Sequence, residues 1–290
     1  VTAVADHLVI TEPGVYPIPE DVYHADPTPD GSLSSSGAKK LLDCPARFEY
    51  DRRHPPQPSA AMELGTAVHK LVLGTGADLV LIDAENYRTK AAQDAAKAAR
   101  AEGKVPLLPK EMAEAQAIAD AVLAHPIAGN LFDPEHGVPE RSLFWHDDAT
   151  GVQRRARLDW LPFPGRYQRR MIIPDLKTCA SASPAAISKV MHSLKYYIQA
   201  PFYVDGVRAL GLDADPAFLF VFAETVPPYI VTIAELDGPG METGRAAIRR
   251  ACERFRDCTE SGVWPGYSSH PDDIELISLP PWATRTEEYA

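Results

Sequence analysis

The sequence predicts one α/β domain: a central mixed β-sheet flanked by helices, with a helical insertion in the N-terminal half. Three observations carry this. From residue 60 onward the apolar period switches between helix and strand, in the order helix, three strands, helix, two strands, helix. The composition, 45% apolar and 24% charged over 290 residues, is that of a globular chain long enough to bury a large core. The order of elements is not a clean βαβ repeat and no internal repeat is visible, so the chain reads as a single unit over 1–290.

Residues 1–36 read as an irregular lead-in, because PIPEDVYHADPTPDG is broken by prolines. Ser34 or Ser35 can cap a short helix running through Lys39 to Leu42, which Pro45 ends or follows with a new turn. RRHPPQPS is a loop. Residues 60–73, AAMELGTAVHKLVL, predict a helix with Leu64, Val68, Leu71 and Val72 as its apolar stripe and His69 beside that stripe. The helical insertion covers 74–130, with two alanine-rich surface helices between 84 and 124 broken by Gly103, Pro106 and Pro109. The core spans 138–260. Its strands are Glu140–Trp145, Val152–Leu161 and Arg169–Lys177, where Pro174 marks an edge or an irregularity. Pro184 opens a helical run that Pro201 threatens to kink; strands follow over 217–223 and 229–234, then a basic helix over 241–260. Residues 261–290 form a turn-rich, acidic tail.

Charge and composition exclude some functions. Lys plus Arg number 29 against 40 Asp plus Glu, a formal net charge of −11. A chain basic over its whole surface, wrapped in nucleic acid, is ruled out. A local basic groove is not, because nearby charges set the field in a cleft. No run approaches the roughly 18 apolar residues of a membrane span. The opening VTAVADHLVITEPGVY lacks the basic-then-apolar order of a secretory signal. Cys44, Cys179, Cys252 and Cys258 are too few and too scattered for a disulfide scaffold, so reduced thiols in a cytoplasmic protein are expected.

The chemistry centres on Asp159 and the run Asp175-Leu176-Lys177. Residues i and i+2 of a strand share a face, so Asp175 and Lys177 project together and Leu176 turns away. If the two strands are neighbours, Asp159 stands across from Asp175. Two carboxylates brought that close repel each other and are costly to bury unpaired. A divalent cation answers both problems, and oxygen ligands favour Mg²⁺ or Mn²⁺ over zinc. Such an ion clamps a phosphate and acidifies an attacking water, which the lysine can orient. Taken alone, an Asp-x-Lys in a strand is an ordinary salt bridge.

Other residues give it context. His69 is a structural histidine in isolation and a third metal ligand beside two acids. Glu140 is either a surface acid or a group that binds metal through water. Gln199 and Tyr203 lie four apart on one helix face, where they could donate to phosphate oxygens or hold the lysine and water in place. From residue 153 to 177 seven positive residues face two acids, so Arg154, Arg155, Arg157, Arg169 and Arg170 are candidates for binding the phosphate backbone of DNA. Lys39, Lys40, Arg47, Arg52 and Arg53 form a second basic cluster and Arg245–Arg256 a third, the last read equally well as a solvated face.

At this point the sequence resembles the PD-(D/E)xK nuclease superfamily, in its RecB-like branch, and most closely the RecE-type (exodeoxyribonuclease VIII-like) enzymes of phages and prophages. The matching pieces run in order: SLSSSGAKKLLDCPARFEY, LGTAVH, PERSLFW, RRARLDWL, PDLKT, YYIQAPFY, FLFVFAETVPPY and GVWPGY. Together they span roughly residues 15–285. The resemblance implies a restriction-endonuclease-like core in which His69, Asp159, Asp175 and the backbone carbonyl of Leu176 bind Mg²⁺, with Mn²⁺ able to substitute, and Lys177 works with the attacking water. It puts the Q-x3-Y motif on Gln199 and Tyr203, and the acid of the first core strand on Glu140. It further implies a processive exodeoxyribonuclease that degrades linear duplex DNA from 5′ ends and leaves 3′ single strands for recombination. The expected partners are DNA ends, further copies of the chain in a ring, and a strand-annealing protein, in a bacterial or phage-infected cytoplasm.

Two alternatives stand beside it. Cys44 resembles the first cysteine of iron–sulfur nucleases of the Cas4 and AddB type, which cut single strands or particular structures. Those carry a further C-x2-C-x5-C. Here Cys252 and Cys258 keep the x5 spacing, but Arg249 fills the remaining position and cannot bind iron, so free thiols are expected rather than a cluster. The other alternative is a DNA-binding module that has lost catalysis, against which the intact acids and lysine argue.

Overall fold

A computed structural model of the chain describes residues 8–54, 59–166, 169–268, 272 and 274–280. Residues 55–58 of the predicted RRHPPQPS loop, residues 1–7 of the lead-in and residues 281–290 of the tail lie outside the described residues. In chain order the elements are β1 (Gly14–Tyr16), α1 (Glu20–His24), β2 (Leu33–Ser34), α2 (Ser35–Asp43), α3 (Pro45–Arg53), α4 (Ala60–Leu73), β3 (Leu79–Leu81), α5 (Lys90–Ala101), β4 (Val105–Leu107), α6 (Pro109–Ala124), α7 (Ala128–Leu131), β5 (Gly137–His146), β6 (Gln153–Pro162), β7 (Ile172–Cys179), α8 (Pro184–Ser193), α9 (Tyr196–Ala209), β8 (Ala217–Glu224), β9 (Val231–Glu235) and α10 (Gly238–Ser261). Among the described residues no helix is long and apolar enough to cross a membrane.

The central sheet is mixed and comes in two parts. One runs β1-β5-β6-β2 and the other β7-β8-β9. β5 pairs antiparallel with β1 and β6, β2 lies parallel to β6, and β8 is parallel to β7 but antiparallel to β9. The parts touch along β6 and β7. Helices cover both faces. Phe218, Phe220 and Phe222 of β8 alternate with Leu219, Val221 and Ala223, as the two-residue period of a strand requires. The phenylalanines pack toward α2, α8, α9 and α10. The smaller side chains pack toward α4, α6 and α7.

Local chemistry explains several boundaries. The hydroxyl of Ser34 accepts from Gly37 N at 3.0 Å and starts α2. Ser59 caps α4, and Gly74 at φ 73° ends it in the left-handed conformation. The helical run after Pro184 breaks at Lys195, with φ 52°, and not at Pro201, which sits inside α9. Pro201 cannot donate to the carbonyl of Tyr197, four residues earlier. α10 packs onto that spot: a β-carbon on Gly244 would fall 2.0 Å from the Tyr197 oxygen, so glycine alone fits.

Three expectations need correction. The lead-in is not irregular throughout, because β1, α1 and β2 lie within it and its two strands extend the sheet at β5 and β6. The 74–130 segment is not purely helical, since β3 and β4 pair in parallel. Nor is α6 a surface helix: Ala115, Ile118, Ala119 and Val122 are buried against α4 and the sheet.

Candidate active site

The sheet divides where the sequence puts its chemistry. Pro174 has no N–H to give to a neighbouring strand. Two residues on, Leu176 N points the same way, and it donates to Oδ2 of Asp159 at 2.7 Å. β6 and β7 are thus joined by a carboxylate in place of a ladder. Across β5, Glu140 stands in register with Asp159, between the pairs Pro139–Trp160 and Arg141–Leu158, yet is itself unpaired. Its φ of 50° is left-handed and costs about 1 kcal/mol or more for a residue with a side chain. That turn aims the carboxylate at Arg157, whose Nη2 donates to Oε2 at 2.8 Å.

Asp175 and Lys177 share a face and form an ion pair. Asp175 is 2% exposed, and its Oδ1 accepts from Gln199 Nε2 at 2.7 Å. Apart from Lys177, its Oδ2 has no donor. Burial, aided by the charge of Asp159 and opposed by Lys177, pushes the Asp175 carboxyl up to about 6. Burial works against the Lys177 ammonium too, but Asp175 and Asp159 outweigh it and raise its pKa. His69 Nε2 lies 3.0 Å from the carbonyl of Leu176, to which it can only donate, and Nδ1 lies 3.6 Å from Asp159 Oδ2.

Two carboxylates, an imidazole and a carbonyl suit a divalent cation such as Mg²⁺ or Mn²⁺, and the undersupplied Asp175 Oδ2 fits that chemistry. The convergence is partial. Among the described residues no three His, Cys, Asp or Glu side chains close on one point. Asp159 is turned to Leu176 N, and Asp175 to Gln199 and Lys177.

A cavity of about 340 Å³ opens over this centre, walled by His69, Glu140, Arg157, Asp159, Gln199 and Tyr203. Asp175 and Lys177 lie behind that wall. Tyr203 is buried and its phenol is held well above its ordinary pKa by desolvation. An adjoining groove of about 950 Å³ shares Glu20, His24, Glu140 and Arg157 with the cavity. Ser35, Ser36 and Lys39 of α2 also line the cavity; the sequence marked Ser35 only as a cap candidate and Lys39 only as part of a basic cluster, and did not single out Tyr196, whose ring lies 4.9 Å from Lys39 Nζ and 5.3 Å from Lys177 Nζ.

Of the five candidate phosphate-binding arginines, Arg157 alone lines the cavity. Arg154 corrects the expectation most clearly: it is 3% exposed and lies on the core side of β6 with Ala156, Leu158 and Trp160. Asp147 and Asp205 take its guanidinium, so it has no path to a phosphate. Arg155 is held by Asp26 at 2.5 Å and by Ser32. Arg170 bonds Pro216 O and Glu235, and Arg169 is exposed on the turn before β7. Cys44, Cys252 and Cys258 are buried free thiols, and burial pushes Cys252 up to about 12.

Residues 34–276 match the family profile described as "PDDEXK-like domain of unknown function (DUF3799)", which covers most of the chain. The chain belongs to that family. Eight chains of solved structures match this chain. One is a protein from Eubacterium rectale described as a "Putative exonuclease", similar with a TM-score of 0.58 at 13% identity over 89% of this chain and 94% of that one. At that identity the likeness establishes the fold. No curated protein matches the sequence.

Proposed function

We propose that this PDDEXK-like domain is a divalent-cation-dependent exodeoxyribonuclease that degrades linear duplex DNA processively, 5′ to 3′, and leaves 3′ tails for recombination. The observation that supports it above all is the meeting of Asp159, His69 and the Asp175–Lys177 pair where β6 and β7 part. His69, Asp159, Asp175 and the carbonyl of Leu176 would hold Mg²⁺, or Mn²⁺ in its stead, His69 through Nε2 in the tautomer that carries its proton on Nδ1. Bound there, the cation neutralises phosphate charge and acidifies a water. Gln199 fixes Asp175, and Asp175 fixes Lys177, whose ammonium would orient the attacking water by donating to its oxygen and offset the negative charge that builds on the phosphate. Arg157 and Tyr203 donate to phosphate oxygens in the cavity. Glu140 keeps Arg157 turned toward them.

Duplex specificity and polarity come from the resemblance to RecE-type enzymes. A homo-oligomeric ring around the DNA, handing its product to a strand-annealing protein, accords with an acidic chain of net charge −11 whose site keeps its cations inside. End-labelled linear duplex and a covalently closed circle, each with Mg²⁺, test the reading. Only the linear DNA should be consumed, with nucleotides released from its 5′ end. Rapid cutting of the circle favours a structure-specific nuclease instead. Light scattering should return a multiple of the 31.7 kDa chain mass, and a monomer counts against the ring.

A further inference from the structure

Lys39 is out of place for a structural lysine. α2 sets it in the cavity wall with Asp159 and Gln199. Three nearby lysines have anions: Lys40 holds Asp51 at 2.7 Å, Lys70 reaches Asp78 at 3.6 Å, and Lys177 holds Asp175, while Lys195 donates to the backbone carbonyl of Lys39 at 3.3 Å. Among the described residues Lys39 has no carboxylate within ion-pair distance, and its ammonium rests against the Tyr196 ring. The charges acting on it are Lys177 and Lys195, which repel it, and Asp175, which Lys177 already engages. Burial first, then Lys177, depresses its pKa to about 8.

A desolvated cation facing like charges weakens the free protein, and a π face compensates only in part. An anion entering the cavity removes that penalty. Of the lysines and arginines that line the cavity among the described residues, Arg157 is shared with Glu140 and Lys70 with Asp78, which leaves Lys39 as the one with no carboxylate of its own to give up. We propose that Lys39 contacts substrate, its ammonium binding a non-bridging oxygen of the phosphate to be cut, on the Tyr196 ring shared with Lys177. The proposal rests on the nuclease reading and adds to it a cation from α2, on the side of the phosphate away from the carboxylates.

The test compares wild type, Lys39→Met and Lys39→Arg in three measurements: thermal unfolding, titration with the dinucleotide pdTpdT in Ca²⁺, and single-turnover cleavage of linear duplex in Mg²⁺. Lys39→Met should unfold about 2 °C higher, because a half-buried charge without a carboxylate partner is gone. It should bind pdTpdT about tenfold more weakly and cut about 100-fold more slowly. Lys39→Arg should recover most of the binding. The proposal is overturned if Lys39→Met binds and cuts as the wild type does, if the wild type binds no pdTpdT, or if Lys39→Met loses stability and Lys39→Arg restores only that. A wild type that cuts no DNA with either metal defeats the nuclease reading, while the titration still decides whether Lys39 binds phosphate.

Discussion

Strand β6 carries charge on both faces, and the two faces treat it differently. On the core face Arg154 is stacked 4.2 Å from the Phe202 ring centre and 4.9 Å from that of Trp145, with Asp147 and Asp205 at its nitrogens. Every charge there has a partner. On the site face Asp159 meets a strand-edge N–H, Glu140 sits in left-handed backbone, Asp175 is pushed up to about 6 and Lys39 down to about 8. The matched face contributes to folding. The mismatched one gives up stability, and under the proposed function it does so for groups that would bind a cation and a phosphate.

Substitution separates the two. The largest effect is expected from joint Asp175→Asn and Lys177→Met: cleavage of linear duplex falls by about 10³-fold or more, while the melting temperature holds or rises because a buried ion pair gives way to neutral groups. Loss of stability with cleavage intact would reverse the roles of the faces. Arg154→Met should do the opposite. It strands Asp147 and Asp205 and costs about 3 kcal/mol in denaturant unfolding, with the rate per folded molecule unchanged.

A smaller effect follows from pH. The folded pKa of Asp175 lies above its ordinary value of 3.8, so the folded state binds the proton more tightly than the unfolded chain. The cost of ionising it is present in full above pH 6 and fades as the pH falls toward 4. In EDTA, between pH 7 and 5, the wild type should gain about 1 kcal/mol relative to Asp175→Asn. Parallel curves for the two would place the carboxyl in water. The smallest shift belongs to Glu140→Gly. Relief of the left-handed φ and loss of the Arg157 ion pair are each worth about 1 kcal/mol and nearly cancel. Calorimetry should find stability within about 0.5 kcal/mol of wild type, and cleavage reduced because Arg157 is no longer aimed.

Much of this was legible in the sequence where the pattern is local. Residues 60–73 have a serine before them, a glycine after them and one apolar stripe, and they form the helix those signals require. The alternation of 153–162 appears in full as burial. It also held a signal that charge counting overrode: Arg154 shares parity with Ala156, Leu158 and Trp160, which puts it in the core. The strands of the lead-in were not legible, because Leu33–Ser34 and Gly14–Tyr16 are too short to carry a period and exist through their partners. Asp159, Asp175, Lys177, His69, Gln199 and Tyr203 were named from spacing and resemblance. How completely they converge depends on the split between β6 and β7, which no linear pattern encodes. The position of Lys39 depends on how α2 lies over α9, a tertiary fact.

Anomalous scattering from a crystal soaked in Mn²⁺ tests the central claim most directly. A single strong peak bounded by His69 Nε2, Asp159, Asp175 and the carbonyl of Leu176 is the expected result. No peak at saturating Mn²⁺, or one seated on other residues, would contradict a cation-dependent centre between β6 and β7.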